Sequence, residues 1–407
     1  MKKLLPLAAA IALLGQSSAY TLHEWGTFTS VSGSDGTLLS GLEREEERLP
    51  PFVHSHAGMQ NVGPYNYGMG KGFLTHRPLK KVTIKMETPV IYFYADEAFS
   101  ASVEVGFNGG SINQWFPQRS GGESVPKILK IHPSPHANAK HFKEAGGIDF
   151  STPFKGQIKW DVDVLAPDAS RGLTFKNNET LNWLRPRNPK ANILKVGEEY
   201  EDYLFYRGVG NFELPVTFRV DATETLHIEN NGKEALPFLF VQEVTSEREV
   251  RYHSFSDGLP AGEMLSIPEK DLHRSDAKWR RLVYDQMAAG LLSTGLTAEE
   301  THGMIQTWWH SYFEQPGLRV FWIVPTEKTN EILPLTVSPA PEKTLRVLVG
   351  RSEVLRPRFE EELVNSYKLR NDIEKNAAWL VHSSHHRYGL AFQERVQALT
   401  GEKVAKK

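Results

Sequence analysis

The spacing of apolar residues changes its period near residue 265, and that change governs what the chain can fold into. Before it, short stretches alternate apolar and polar side chains, the pattern of strands with one buried face. Residues 157–165 are the cleanest case. Ile158, Trp160, Val162 and Val164 fall on one face, and Lys159, Asp161 and Asp163 on the other. Similar stretches recur at 82–94, 102–107, 111–116, 203–209, 214–220, 225–229, 236–244 and 249–255, with Pro89 marking an edge or bulge. Asn108-Gly109-Gly110, Asn230-Asn231-Gly232 and Ser256-Asp257-Gly258 supply the turns. Many short strands with no helix between them predict an antiparallel β-sandwich of jelly-roll or immunoglobulin-like kind over residues 20–265.

After residue 265 the spacing becomes helical. Trp279, Leu282, Val283, Gln286, Met287 and Leu291 mix steps of three and four, predicting a helix over 275–292. Thr297 and Glu300 form a capping box ahead of a second helix that carries Met304, Ile305, Trp308, Trp309, Tyr312 and Phe313. Two apolar runs, 318–324 and 345–349, read as strands buried on both faces. A charged helix is predicted from Pro357 toward Leu380 and a short one over 390–399. The fold class is therefore α+β, with a sandwich domain at 20–265 and a helical α+β domain at 266–407.

The first residues predict an address. Lys2 and Lys3 precede an apolar run from Leu4 to Leu14, and Ser17, Ser18 and Ala19 are small residues suited to a signal peptidase. This predicts a signal peptide over residues 1–19, cleaved after Ala19, and a protein exported to the periplasm or the extracellular space. The run is too short for a transmembrane helix, which needs about 20 residues. The chain of 407 residues has no Cys, so disulfides, thiol catalysis and thiolate metal sites are excluded. With 47 Lys+Arg against 49 Asp+Glu it lacks the basic excess of a nucleic-acid binder.

Several segments carry a resemblance. Leu22-His23-Glu24-Trp25-Gly26-Thr27-Phe28-Thr29, Lys85-Met86-Glu87-Thr88-Pro89, Tyr206-Arg207-Gly208-Val209-Gly210, Phe313-Glu314-Gln315-Pro316-Gly317-Leu318-Arg319 and Val349-Gly350-Arg351-Ser352-Glu353 are similar to an uncharacterised family of exported bacterial proteins. The resemblance implies export and brings no catalytic residue with it.

Known catalytic signatures fail one by one. His23-Glu24 lacks the second His of a zincin, since position 27 is Thr. Gly350-Arg351-Ser352-Glu353-Val354 lacks the closing Gly of a nucleophile elbow. Gly68-Met69-Gly70-Lys71-Gly72 has neither the spacing nor the hydroxyl of a phosphate loop, and no nucleotide cofactor is indicated.

Histidine remains. His54 and His56 sit two apart in an extended, Pro-flanked segment and can present two imidazoles to one ion, while His23 or Glu24 can complete the set; copper and zinc suit such ligands. His132, His136 and His141 read as a surface loop, and His382, His385 and His386 as caps of a helix end. Asp161 and Asp163 read as a solvated strand face, and the run from Glu43 to Arg48 as a solvated charged segment. Trp115 and Trp183 are the tryptophans placed to stack on a sugar. The expectation is an exported soluble protein that binds copper or zinc through His23, Glu24, His54 and His56, a metal-dependent enzyme being one form of it. The alternative is a non-catalytic β-sandwich module that binds an envelope glycan or a partner protein.

Overall fold

A computed structural model describes residues 19–44, 46, 49–55, 79–122, 148–150, 154–169, 181–275 and 278–402. The segment expected to be a signal peptide (apart from Ala19), His56, the loop holding His132, His136 and His141, and the Lys-rich tail from Lys403 lie outside them.

The fold is mixed α+β, built on one sheet of eleven strands. In chain order these are β1 (Tyr20–Ser32), β2 (His54–Ser55), β3 (Ile84–Met86), β4 (Val90–Ala95), β5 (Gly110–Phe116), β6 (Leu204–Gly210), β7 (Leu239–Val244), β8 (Val250–Phe255), β9 (His273–Arg274), β10 (Gly317–Ile323) and β11 (Lys343–Val354). Across the sheet the order is β9-β8-β7-β10-β11-β1-β3-β6-β5-β2, with β4 pairing β1 and β6. All pairings are antiparallel except β1 with β11, which run parallel over twelve residue pairs from Thr21↔Lys343 to Ser32↔Val354. The sheet thus continues across residue 265, the point where helices begin, and strands from the last third of the chain fill its centre.

One face of the large sheet packs on two smaller sheets. Leu22, Phe28, Met86, Tyr206, Val241 and Trp322 meet Val103, Val105, Ile158, Trp160 and Val162 from a five-stranded sheet and Phe218 and Ile228 from a three-stranded one. The alternation read in 157–165 appears as the strand Lys155–Val164, with its apolar face in this core and Asp161 and Asp163 exposed. Burying so many aromatic and branched side chains, each contributing about 1.5–3 kcal/mol, offsets the lack of any covalent staple.

The other face carries the helices α1 (Trp279–Ser293), α2 (Ala298–Thr307), α3 (Pro357–Lys368) and α4 (Gly389–Thr400). Trp25, Tyr92, Phe205, Phe240 and Phe321 pack there against Val283, Met287, Met304 and Trp308. The capping box forms as expected, with Glu300 N donating to the Thr297 hydroxyl and Thr297 N donating to the Glu300 carboxylate. Helix α2 is shorter than its apolar pattern suggests, because a π turn over Trp309–Phe313 follows it. Pro89 breaks residues 82–94 into β3 and β4, as a residue without an N–H must inside a ladder.

Candidate functional site

Four of the strands place charged side chains where apolar ones are the rule. Lys85 on β3, Arg207 on β6, Arg319 on β10 and Arg351 with Glu353 on β11 are all buried, as is Glu87 just after β3. Thr29 of β1 stands in register with Lys85 on one side and Arg351 on the other, and residues directly opposite share a face. The five segments quoted above for their resemblance therefore converge on one place. Each puts a polar side chain into it.

These groups form a single connected network. Glu46 bonds Lys85, lies 3.1 Å from Arg351 Nη2 and 2.9 Å from Arg387 Nη1. Glu87 stands 3.3 Å from Lys85 and 3.1 Å from Arg207. Glu353 accepts from Arg319 at 3.2 Å and Arg387 at 3.1 Å, and lies 3.5 Å from Arg351 Nε. Tyr312 stacks under the Arg351 guanidinium at 4.1 Å and shares a hydrogen bond of 2.7 Å with Thr27, while Tyr388 touches Arg351 from the start of α4. Among the described residues the network holds five cations, Lys85, Arg207, Arg319, Arg351 and Arg387, against three carboxylates, Glu46, Glu87 and Glu353.

Electrostatics in this setting are strong. Burial alone would raise the Glu46 carboxyl, but Arg351, Lys85 and Arg387 outweigh it and hold it well below the usual carboxylate range. Burial likewise opposes ionisation of Glu353, and Arg319, Arg387 and Arg351 again prevail. Burial draws Arg319 down to about 10, which leaves it charged at neutral pH. Counted over the described residues alone, the network has two more cations than carboxylates, in a setting where an unpaired charge costs several kcal/mol. Its polar atoms with no hydrogen-bond partner among the described residues include Arg351 Nη1 and Thr29 Oγ1.

Arg207 also lines a small cavity, about 30 Å³, walled by Leu49, Pro50, Thr88, Trp183 and Trp308. That is room for about two water-sized groups, far below a sugar ring. Trp183 and Trp115 are buried, their indole N–H groups given to Glu201 and Gln118, so neither offers a face for stacking. The reading of Glu43 to Arg48 as wholly solvated is also corrected, because the Glu46 side chain is buried in the network.

Of the residues expected to bind metal, the three that are described, His23, Glu24 and His54, do not form one group. His23 faces α2, where its Nδ1 lies 2.9 Å from Glu300, which also accepts from Tyr94 at 2.8 Å. Glu24 points to the opposite face and accepts from Arg346 at 2.5 Å and Tyr206 at 2.7 Å. His54 on β2 lies 2.9 Å from Glu199. Three strands separate β1 from β2, about 19 Å at the usual strand spacing. His23 and His54 are thus not brought together, and no group of three or more metal-ligating side chains occurs among the described residues.

Beside the network, His385 does cap a helix end, its Nδ1 3.1 Å from the Leu380 carbonyl. His386 does not. Burial, with help from Arg387, pulls its imidazole down to about 4, and its Nδ1 accepts the Tyr388 N–H at 3.1 Å, which requires that nitrogen unprotonated. The folded protein then binds fewer protons than the unfolded chain between pH 4 and the ordinary imidazole range near 6.5. Stability should fall as pH drops from about 6.5 toward 4. In His386→Asn, which retains an acceptor, urea midpoints measured across that window should lose this part of the slope.

Compared with known protein families and with curated proteins, the chain matches none. No described helix is long and apolar enough to cross a membrane.

Proposed function

We propose that this is an exported binding protein whose ligand is a small anion or the anionic group of a larger molecule, held by Lys85, Arg207, Arg351 and Arg387 under the helices. The observation that carries the reading is the convergence of three cations, Lys85, Arg351 and Arg387, on the single carboxylate of Glu46. A cluster of that sign is stable where an anion completes it, and each added hydrogen bond to a buried guanidinium contributes about 1.5–3 kcal/mol. The export reading rests on residues 1–19, and a cut after Ala19 would leave β1, which starts at Tyr20, whole. The smaller sheets packed on the large one support the sandwich reading, without choosing between its jelly-roll and immunoglobulin-like forms.

Thermal melting at fixed pH and ionic strength tests the proposal. Replacing chloride by phosphate, sulfate or acetate should raise the melting temperature in a saturable way, a ligand at about 100 times its Kd contributing about 2.7 kcal/mol. Melting temperatures that do not depend on the anion would end this reading.

A second reading, copper or zinc at His54, is favoured by one observation, the Glu199 carboxylate 2.9 Å from His54 Nε2. Titration with either metal should then saturate at one equivalent, and His54→Ala should abolish it. No saturable heat would dismiss it.

A further inference from the structure

Glu46 occupies an unusual position within the network. Its single carboxylate receives Lys85, Arg351 and Arg387 together, from β3, β11 and the start of α4. Three cations converging on one acidic group is a clamp for an oxyanion, and here the group comes from the chain itself. A carboxylate fills it poorly. Its two planar oxygens leave Arg351 Nη1 and the hydroxyl of Thr29, in register with Arg351, without partners among the described residues.

Resting on the anion-binding reading above, we infer that this seat takes a tetrahedral dianionic oxyanion, as in phosphate, sulfate or a phosphomonoester, and that Glu46 is its built-in competitor. A tetrahedral group has enough oxygens to keep the contacts of Lys85, Arg351 and Arg387 and to accept from Arg351 Nη1 and Thr29 as well. Its second charge strengthens the attraction to guanidinium and ammonium groups that Glu46 shares with Glu87 and Glu353. On binding, Glu46 must withdraw or take up a proton, since two like charges cannot share the clamp.

Calorimetric titration of inorganic phosphate, glycerol phosphate and acetate into the unaltered protein and Glu46→Gln distinguishes the outcomes. The expected result is that phosphate binds more tightly than acetate, and that Glu46→Gln tightens phosphate by about tenfold through loss of the competitor. Tighter glycerol phosphate than phosphate would identify an esterified headgroup as the ligand form, and the reverse a simple ion; either supports the oxyanion seat. Acetate binding as tightly as phosphate in both proteins would overturn the inference while leaving the anion reading intact. No anion binding to either protein would overturn both. Weaker phosphate binding to Glu46→Gln, folded by circular dichroism, would overturn the competitor role. If the glutamine variant does not fold, Glu46→Asp, whose shorter carboxylate pulls back from the clamp, should show the same tightening, and unchanged or weaker binding would count against it.

Discussion

Replacing Arg351 with leucine is expected to cost about 3–5 kcal/mol of stability, more than any surface substitution in this chain. The guanidinium is fully buried, bonds Glu46 and Tyr388, lies 3.5 Å from Glu353 and covers the Tyr312 ring. Leucine fills part of the volume but removes the cation that Glu46 and Glu353 share and leaves the Tyr388 hydroxyl without this donor. Urea denaturation at pH 7 measures the loss, and a change below about 1 kcal/mol would mean that the network is not a cooperative unit. The loss should also depend on pH. Glu46 and Glu353 titrate below their ordinary range in the fold, so their contribution is complete above about pH 4.5 and disappears as pH falls through the folded values. The gap between the variant and the unaltered protein should therefore narrow in acid.

Gly208→Ala is expected to be as damaging, for a steric reason. A Cβ at Gly208 would stand 2.0 Å from the Ser111 carbonyl oxygen of the neighbouring strand β5. The contact is with backbone in the interior of the sheet, so relief requires the strands to part. The same place holds a register shift between Arg207 and Gly208, where β6 passes from pairing Gln114 to pairing Ile112. Such a bulge re-aims the side chain beside it. Overpacking of this kind costs about 1–3 kcal/mol where side chains can adjust, and more is expected here because they cannot. Urea midpoints and anion titration should both suffer. A variant of normal stability that binds phosphate normally would show that the sheet can open at this point without consequence.

Much of the architecture was legible in the sequence because it follows local rules. Period two announced Lys155–Val164, and the Thr297 and Glu300 spacing announced the start of α2. Period two also dictated that His23 and Glu24 point to opposite faces, as they do. The pairing of β1 with β11 was not legible. It joins residues some 320 positions apart, and neither strand carries a mark of its neighbour. The charged network escaped for the same reason: Glu46 sits in a run of charges that looks solvated, and its partner Arg351 is 305 residues away. One signal was nonetheless present. Lys85, Arg207, Arg319 and Arg351 each interrupt a stretch otherwise apolar enough to be buried on both faces, and a charge in such a strand must meet its counterpart inside. Trp183 was misplaced because an aromatic beside turn residues looks exposed, whereas its partners Phe52, Phe116, Tyr203 and Phe205 come from four separate segments.

The claim that the buried cations form an anion seat is tested most directly by diffraction from crystals grown with selenate, a tetrahedral dianion whose selenium scatters anomalously. The account predicts an anomalous peak within hydrogen-bond reach of Lys85, Arg351 and Arg387, with the Glu46 carboxylate moved out of the clamp. Glu46 still bound to all three cations, with no peak beside them at selenate concentrations that saturate the surface, would contradict it.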